Sequence, residues 1–467
     1  MRSEVDADVL VIGGGPSGST ISTLLAQRGH RVIVFERAEF PRDHVGESLL
    51  PYCYDILDEL GVLEQMKQQM VRKPGVRFVD VDGRHHTTWC FGHVIKDESH
   101  LSFHVRRDRF DDMLLRNAEA HGVEVHEETR VIAVELEAAH GLTTVTVSGP
   151  DGEERTYTAT YVVDASGRDT FIANRMGWKK AHDELDRVAT STHWEDVEFN
   201  GGLDEGLLQV VYLGGEKKGW IWVIPIGANR VSIGVVVNND YFKAQRKALR
   251  AAGSEDWKRD FYLQELSSSP FVNEVVATGH MVQEPVVNGD YSYKSETKYG
   301  DNFALVGDAH TFIDPIFASG IYLSMNSAHL VAGALHEGLT TSPETGAKAL
   351  ARAYESIAGA YRLVEKAIRL FYEPTAINFA QAASAEDLIH ERHKNALASM
   401  HYLLAGDFFN RFEEYSKVID LLLDPSLFAK YKAFVIDRND YDSSTCGMDR
   451  SQVFSEFLLR EVGAASA

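Results

Sequence analysis

Cysteine is scarce. Cys53, Cys90 and Cys446 are the only three in 467 residues, and no two form a CxxC pair. That spacing disfavours zinc and a redox-active dithiol, so three buried, reduced thiols and no bound metal are expected. No run of about 18 apolar residues occurs, and no membrane-spanning helix is expected. The N-terminus, MRSEVDADVLVIGGG, enters a strand early and lacks a secretory layout, so a cytoplasmic location is expected. Positive charge is also short: 47 Lys and Arg stand against 69 Asp and Glu, a formal net charge of −22. Such a chain repels phosphate backbones, and nucleic acid is not an expected partner. The same repulsion disfavours an acidic carrier protein and points to a free small molecule. Internal repeats, low-complexity tracts and long Pro/Gly/Ser linkers are absent.

The residues present read as an α/β chain long enough for two or three domains. The order strand, glycine turn, helix, strand runs through DVLVI (8–12), GGGPSG, STISTLLAQRG and RVIVFE (31–36). A helix near 109–121 leads to strands around 123–137, 143–148 and 160–164. Between 186 and 237, GLLQVVYL, GWIWVIPI and NRVSIGVVV alternate polar and apolar positions and predict antiparallel sheet. A strand then a helix return after 300, and from about 346 to 467 the period is mainly helical. The expected division is a discontinuous nucleotide-binding domain (1–70, 100–182 and 282–340), a sheet domain for substrate (71–99 and 183–281) and a helical C-terminal region (341–467).

Gly13, Gly15 and Gly18 form GxGxxG between the first strand and the first helix. The first glycine permits a tight turn, the second lets backbone approach a pyrophosphate, and the third lets helix pack closely on strand. Pro16 and Ser17 open the helix, whose free N–H groups face that pyrophosphate. Glu36 ends the second strand, where an acid can hold a ribose 2′-hydroxyl. Only one complete fingerprint of this kind is present, which speaks against NADPH use within the chain.

Two later segments, VVDASGR (162–168) and LVGDAHTFIDP (305–315), resemble in order the FAD signatures of the glutathione-reductase-like Rossmann fold. Taken alone, the second is a strand-to-helix turn capped by aspartate. The resemblance places Asp308 near the flavin ribityl chain and opens a helix at Ser319, Gly320 and Ile321 beside the flavin ring. A helix N-terminus there would stabilise negative charge on reduced flavin.

FPRDHVGESLLP (40–51), VRRDRFD (105–111), GWIWVIP (219–225) and FIDPIFASGIYL (312–323) complete a resemblance to the flavin-dependent halogenases. It covers roughly residues 5–380 and is strongest with the branch acting on pyrroles and phenols. It implies that Arg42, Gly46, Glu47 and Ser48 wrap the flavin, that Arg107 contacts FAD, and that Val131 contacts adenine. Trp220 and Trp222 belong to the family's WxWxIP marker. Alternate strand residues share a face, so both rings can wall one cavity, although two such Trp are also ordinary core.

Lys73, in VRKPGVRF, matches the lysine on which the family's chemistry depends; read bare, it is a solvated lysine beside Arg72. The implied reaction starts from FADH2, delivered by a separate flavin reductase, and O2. Chloride or bromide held at Ser319 and Gly320 becomes hypohalous acid, which travels to Lys73 and is attacked by an electron-rich ring. A partly desolvated lysine suits this role, as a polarising ammonium or a nucleophilic amine.

The chain departs from the family segment at one position and from the tryptophan-specific members at two more. Ala318 replaces the serine of F-x-x-P-x-x-S-x-G, and Ser319 follows it. Phe317, a candidate cavity wall, stands where tryptophan-specific members carry an acid, and no Trp follows the glycine loop. Free tryptophan is therefore a disfavoured substrate. His44, His104 and His310 flank flavin segments but read as structural hydrogen-bonding residues among 19 histidines without metal spacing. Tyr354, Tyr361, Phe371 and Tyr372 read first as helix core. Competing readings are an FAD-dependent aromatic hydroxylase indifferent to Lys73, a prenyl-chain reductase of the same fold, and a flavin-binding redox sensor.

Overall fold

In the computed structural model the strand Ala7–Ile12 lies between Val32–Phe35 and Glu154–Asp164, parallel to both. Phe303–Leu305 extends the parallel set on one side and Glu124–His126 on the other. The two central strands are fully or largely buried, which suits their continuous Val, Ile and Leu runs. Leu142–Ser148 and Arg130–Ala138 complete the sheet antiparallel. Residues 5–138, 141–181, 186–289, 292–373, 399–423 and 445–465 are described. Register sets Ile12 beside Asp164 and Asp164 beside Leu305, so three loops open at one edge. Ligands of open α/β sheets bind outside that carboxyl edge. Helix Pro16–Gln27 packs there against Arg107–Ala120 and Gly320–Thr340.

A second sheet carries Arg187–Glu195, Leu208–Leu213, Gly219–Pro225 and Val231–Asn238 in the alternation the sequence predicts. Gly75–Val79 and His86–Cys90 extend it. Strand alternation sends Ile221, Val223, Ile233 and Val235 into a core with Phe242, Phe261 and Tyr262. Val210, Trp220, Trp222 and Val236 face the other way, into the main core. Trp222 lies across Gly234, where a Cβ would fall 2.0 Å from its ring. Three helices, Asn239–Ala251, Trp257–Ser267 and Pro270–Val275, follow these strands where sheet alone was expected. Their start signals are in the sequence: Asn238, Asp256 and Ser269 each accept a backbone N–H at the cap.

A short ribbon pairs Val71–Lys73 with Ser102–His104, joining segments assigned above to different domains. The C-terminal region shows helices Pro343–Tyr372, Phe412–Leu423, Arg450–Val453 and Glu456–Ala465; residues 374–398 and 424–444 lie outside the described residues.

The thiol expectation needs correction. Cys90 and Cys446 form a disulfide across 356 residues, and only Cys53 remains a buried thiol. Spacing could not reveal this pair, because folding alone brings the C-terminal segment back onto the second sheet. There Val453, Phe454 and Leu458 pack on Val71 and Ala228, and Cys446 N–H donates to Glu205. Cys446→Ser is expected to lower unfolding free energy by about 2–4 kcal/mol. Denaturant titration of the two proteins, with non-reducing peptide mapping of the bridge, checks this; equal midpoints would contradict it.

Candidate functional site

Gly13 turns with a positive φ of 100° at the end of its strand, and a Cβ at Gly18 would fall 1.9 Å from Gly13 O. No larger residue fits that crossing of helix and strand. Glu36 steadies the loop, its Oε2 accepting from Gly14 N–H at 2.8 Å and its Oε1 from Ala38 N–H at 2.9 Å.

Outside this edge opens a cavity of about 580 Å³, within the range of small-molecule and cofactor sites. Its wall takes in Glu36 and Val131, the glycine-loop residues Gly13, Gly15, Pro16 and Ser17 with Arg42, and Gly320, Ile321, Trp220 and Trp222. Gly46, Glu47, Ser48, Arg107 and Asp308 close its sides. Gly18 packs beneath the loop instead of lining the space. Lys73, Ser319 and Phe317 do not line it either: Lys73 and Ser319 are each 1% exposed, and Phe317 meets Phe371 edge to face.

Arg107 organises the wrapping loop. It forks onto Asp111 at 2.7 and 2.8 Å and donates to the carbonyls of Val45 at 2.7 Å and Gly46 at 3.2 Å. Arg42 adds a third bond to Asp111, at 3.0 Å. Sequence reasoning missed the partner of Glu47. His193 Nε2 stands 2.6 Å from its Oε1, and Arg230 meets His193 Nδ1 at 3.1 Å. An arginine has only hydrogens to give, so His193 donates through Nε2 and the three residues form a one-way chain. Arg168 was also missed as a wall residue, although its segment was recognised; it bonds Asn288 and the Gly289 carbonyl.

Asp308 is half-buried on the cavity wall, and desolvation there raises its carboxyl to about 6, against the lowering effects of Arg168 and Arg107. A carboxyl raised in the folded chain adds stability below its unfolded value near 4, and that contribution is lost as pH climbs through the folded value. Asp308→Asn apoprotein is therefore expected to exceed wild type by roughly 2–3 kcal/mol at pH 7. Urea titrations should show that gap closing as pH falls from 6 towards 4; a gap independent of pH would count against it.

Ser319 caps the helix Gly320–Thr340, and its buried Oγ has no partner among the described residues. A Cβ at Gly320 would meet nothing within 4 Å, so the helix end faces open space. Ala318 precedes it with a left-handed φ of 52°. Tyr372 ties Trp220 to this turn, accepting from Trp220 Nε1 and donating to Asp314, both at 2.8 Å, whereas Trp222 Nε1 donates to Ser232 Oγ at 3.1 Å.

Lys73 lies beyond the cavity wall. Its Nζ donates to Leu49 O at 2.9 Å and stands 5.3 Å from the Phe91 ring centre. No carboxylate pairs with it among the described residues, and burial lowers its amine to about 7. His44 is exposed, bonds Val45 O and stands 3.2 Å from Arg107; His310 packs edge-on against Tyr354 and Tyr361.

A glycine loop, an acid-bearing second strand and a cavity that takes in both, together with a helix N-terminus and two indoles, fit FAD. The fold and site define a flavoprotein of the two-sheet oxidoreductase plan. Residues 6–362 match the FAD binding domain family. A tryptophan 2-halogenase of Chondromyces crocatus is 33% identical over 400 residues, covering 84% of this chain and 72% of that protein. A Pseudomonas fluorescens chlorinase of pyrrole-2-carbonyl on a peptidyl-carrier protein is 28% identical over 357 residues, covering 72% and 77%. The structure of the myxobacterial chondrochloren halogenase superposes with a TM-score of 0.71 at 29% identity, covering 90% of this chain and 97% of that one. The chain belongs to the FAD-dependent halogenases, enzymes of FAD and halide. Its relatives span tryptophan and pyrrole substrates, so kinship alone does not select between them. Among the described residues no helix is long and apolar enough to cross a membrane, and no cluster of metal-binding side chains occurs.

Proposed function

We propose that this halogenase places chloride or bromide on a free, electron-rich phenol, pyrrole or indole ring, with Lys73 presenting the oxidant. The observation that carries the reading is the lysine itself: buried, hydrogen-bonded to a carbonyl, without a carboxylate partner, and lowered to about 7. Structural lysines keep their ammonium in water, and enclosing one without a counter-charge costs stability that packing alone does not require.

FAD supplies, once reduced, the activation of O2 that makes halide electrophilic. Glu36 and Val131 would hold its adenosine end, the Gly13–Gly18 loop and Arg42 its pyrophosphate, and Asp308 its ribityl chain. Gly46, Glu47 and Ser48, pinned by Arg107 and His193, would close over the ring, with Gly320 and Ile321 at its edge. Ser319 and Gly320 offer N–H groups and a hydroxyl to the halide. Trp220 and Trp222 exclude water beside the ring. Lys73, outside this space, donates an N–H to the oxygen of hypohalous acid and so polarises its halogen towards the substrate ring. A separate flavin reductase delivers FADH2. The acidic net charge favours a free substrate over one tethered to an acidic carrier.

Mass spectrometry of products from phenols, indoles and pyrroles, free and carrier-bound, tests the reading. Each reaction holds FAD, a flavin reductase, NADH, O2 and bromide or chloride. A halogen isotope pattern on a free ring is expected. A gain of one oxygen without halogen would make the chain a hydroxylase on this frame, and halogen only on carrier-bound pyrrole would overturn the free-substrate assignment.

A further inference from the structure

The ribbon that carries Lys73 also carries polar atoms that the reading above leaves unused. Lys73 stands opposite Ser102, and Val71 opposite His104. Opposed residues and residues two apart share a face, so Lys73, Ser102 and His104 project together. On the far side of this strand Leu49 N–H donates to Phe103 O, and Ser48 bridges to His104. Since Lys73 Nζ reaches Leu49 O, its stem crosses the strand that bears Ser102 and His104.

His104 is 0% exposed, and its Nε2 lies 3.0 Å from Gly206 O. A carbonyl only accepts, so Nε2 carries the hydrogen and the lone pair sits on Nδ1. That Nδ1 is buried without a hydrogen-bond partner among the described residues, as are Ser102 Oγ and Ser48 Oγ. Burial and the nearby lysine hold His104 well below its usual range, which keeps the lone pair in place at neutral pH. Ser48 belongs to the flavin cavity wall, and its backbone bridges to His104. A buried acceptor left without a donor is costly, which favours a small hydroxylic occupant.

We propose that His104 is a second contact for the oxidant at Lys73: hypohalous acid donates its O–H to His104 Nδ1 while its oxygen accepts from Lys73 Nζ. Holding both ends of the O–H leaves the halogen as the free end, directed at the ring. The ring's π pair then forms the carbon–halogen bond and the halogen–oxygen pair stays on oxygen. A proton from Lys73 completes water, and the proton lost by the ring restores the lysine. This rests on the reading of Lys73 given above.

His104→Gln and His104→Asn in the full chain separate this role from a structural one. Gln keeps an N–H for Gly206 O but nothing at the Nδ1 position; Asn keeps an acceptor at Nδ1. Each variant is assayed with flavin reductase, bromide and a phenol, following halogenated product per O2 and free hypobromous acid caught by a dissolved 1,3-diketone. His104→Gln should lose about 10-fold in kcat with KM nearly unchanged, the missing halogen appearing in the trap. His104→Asn should recover most of the coupling. Wild-type coupling in His104→Gln, or equal losses in both variants with a silent trap, would overturn the proposal and leave His104 as an anchor for Gly206. If Lys73→Met halogenates normally in the same assay, the lysine reading fails first, whatever the His104 variants do.

Discussion

Lys73→Met should lower halogenation by about three orders of magnitude while the protein folds, binds FAD and consumes O2 as before. Methionine matches the lysine stem in length and fills the same space against Phe91, so no cavity opens. What disappears is the nitrogen and its hydrogens. The same substitution should stabilise the protein. The amine is lowered to about 7 in the folded chain by burial, against an unfolded value near 10.4. The unfolded chain therefore binds more protons between those limits, and wild-type stability rises with pH across them. Methionine carries no such penalty, so its advantage is on the order of 4 kcal/mol at pH 7 and shrinks as pH approaches 10. Product analysis and denaturant titration at several pH values check both halves. A variant that halogenates normally, or gains no stability at neutral pH, would leave Lys73 without its assigned role.

Arg107→Met is expected to have the opposite balance, harming the fold and the cofactor together. Asp111 is 0% exposed and takes two bonds from Arg107, so removing the arginine leaves a buried carboxylate with Arg42 alone. Breaking such a pair costs about 3–5 kcal/mol. It also frees the carbonyls of Val45 and Gly46 and loosens the wall of the flavin cavity. FAD affinity, followed by flavin fluorescence, should fall in parallel with the unfolding midpoint. Arg107→Lys should rescue little, because an ammonium cannot fork. Arg107→Met combined with Asp111→Leu should regain stability without regaining FAD. Full FAD affinity in Arg107→Met would show that the loop holds without its clamp.

The nucleotide half was legible because its constraints are local. GxGxxG, Glu36 and the order of VVDASGR and LVGDAHTFIDP are runs of neighbours whose spacing carries the geometry. The alternation of GWIWVIP likewise announces a two-faced strand. Relations between distant segments were not legible. His193 meets Glu47 across 146 positions, and Cys446 reaches Cys90 across 356; neither leaves a periodic trace. The helices at 239–275 had readable caps in Asn238, Asp256 and Ser269, but the strong strand pattern before them masked the change of period. Lys73 could be matched to the family, whereas its burial could not be read from VRKPGVRF. Enclosure comes from Leu49, Phe91 and the opposed strand at 102–104, all contributed by other segments.

The seat of Trp222 on Gly234 has a consequence for altering this enzyme. A side chain at 234 and the indole at 222 would claim the same volume, so neither position can be judged with the other held constant. A library that varies one site at a time will score both as immutable. Exchanging them as a pair, with bulk moved from one strand to its neighbour, opens a route to reshaping the chamber that single substitutions never sample.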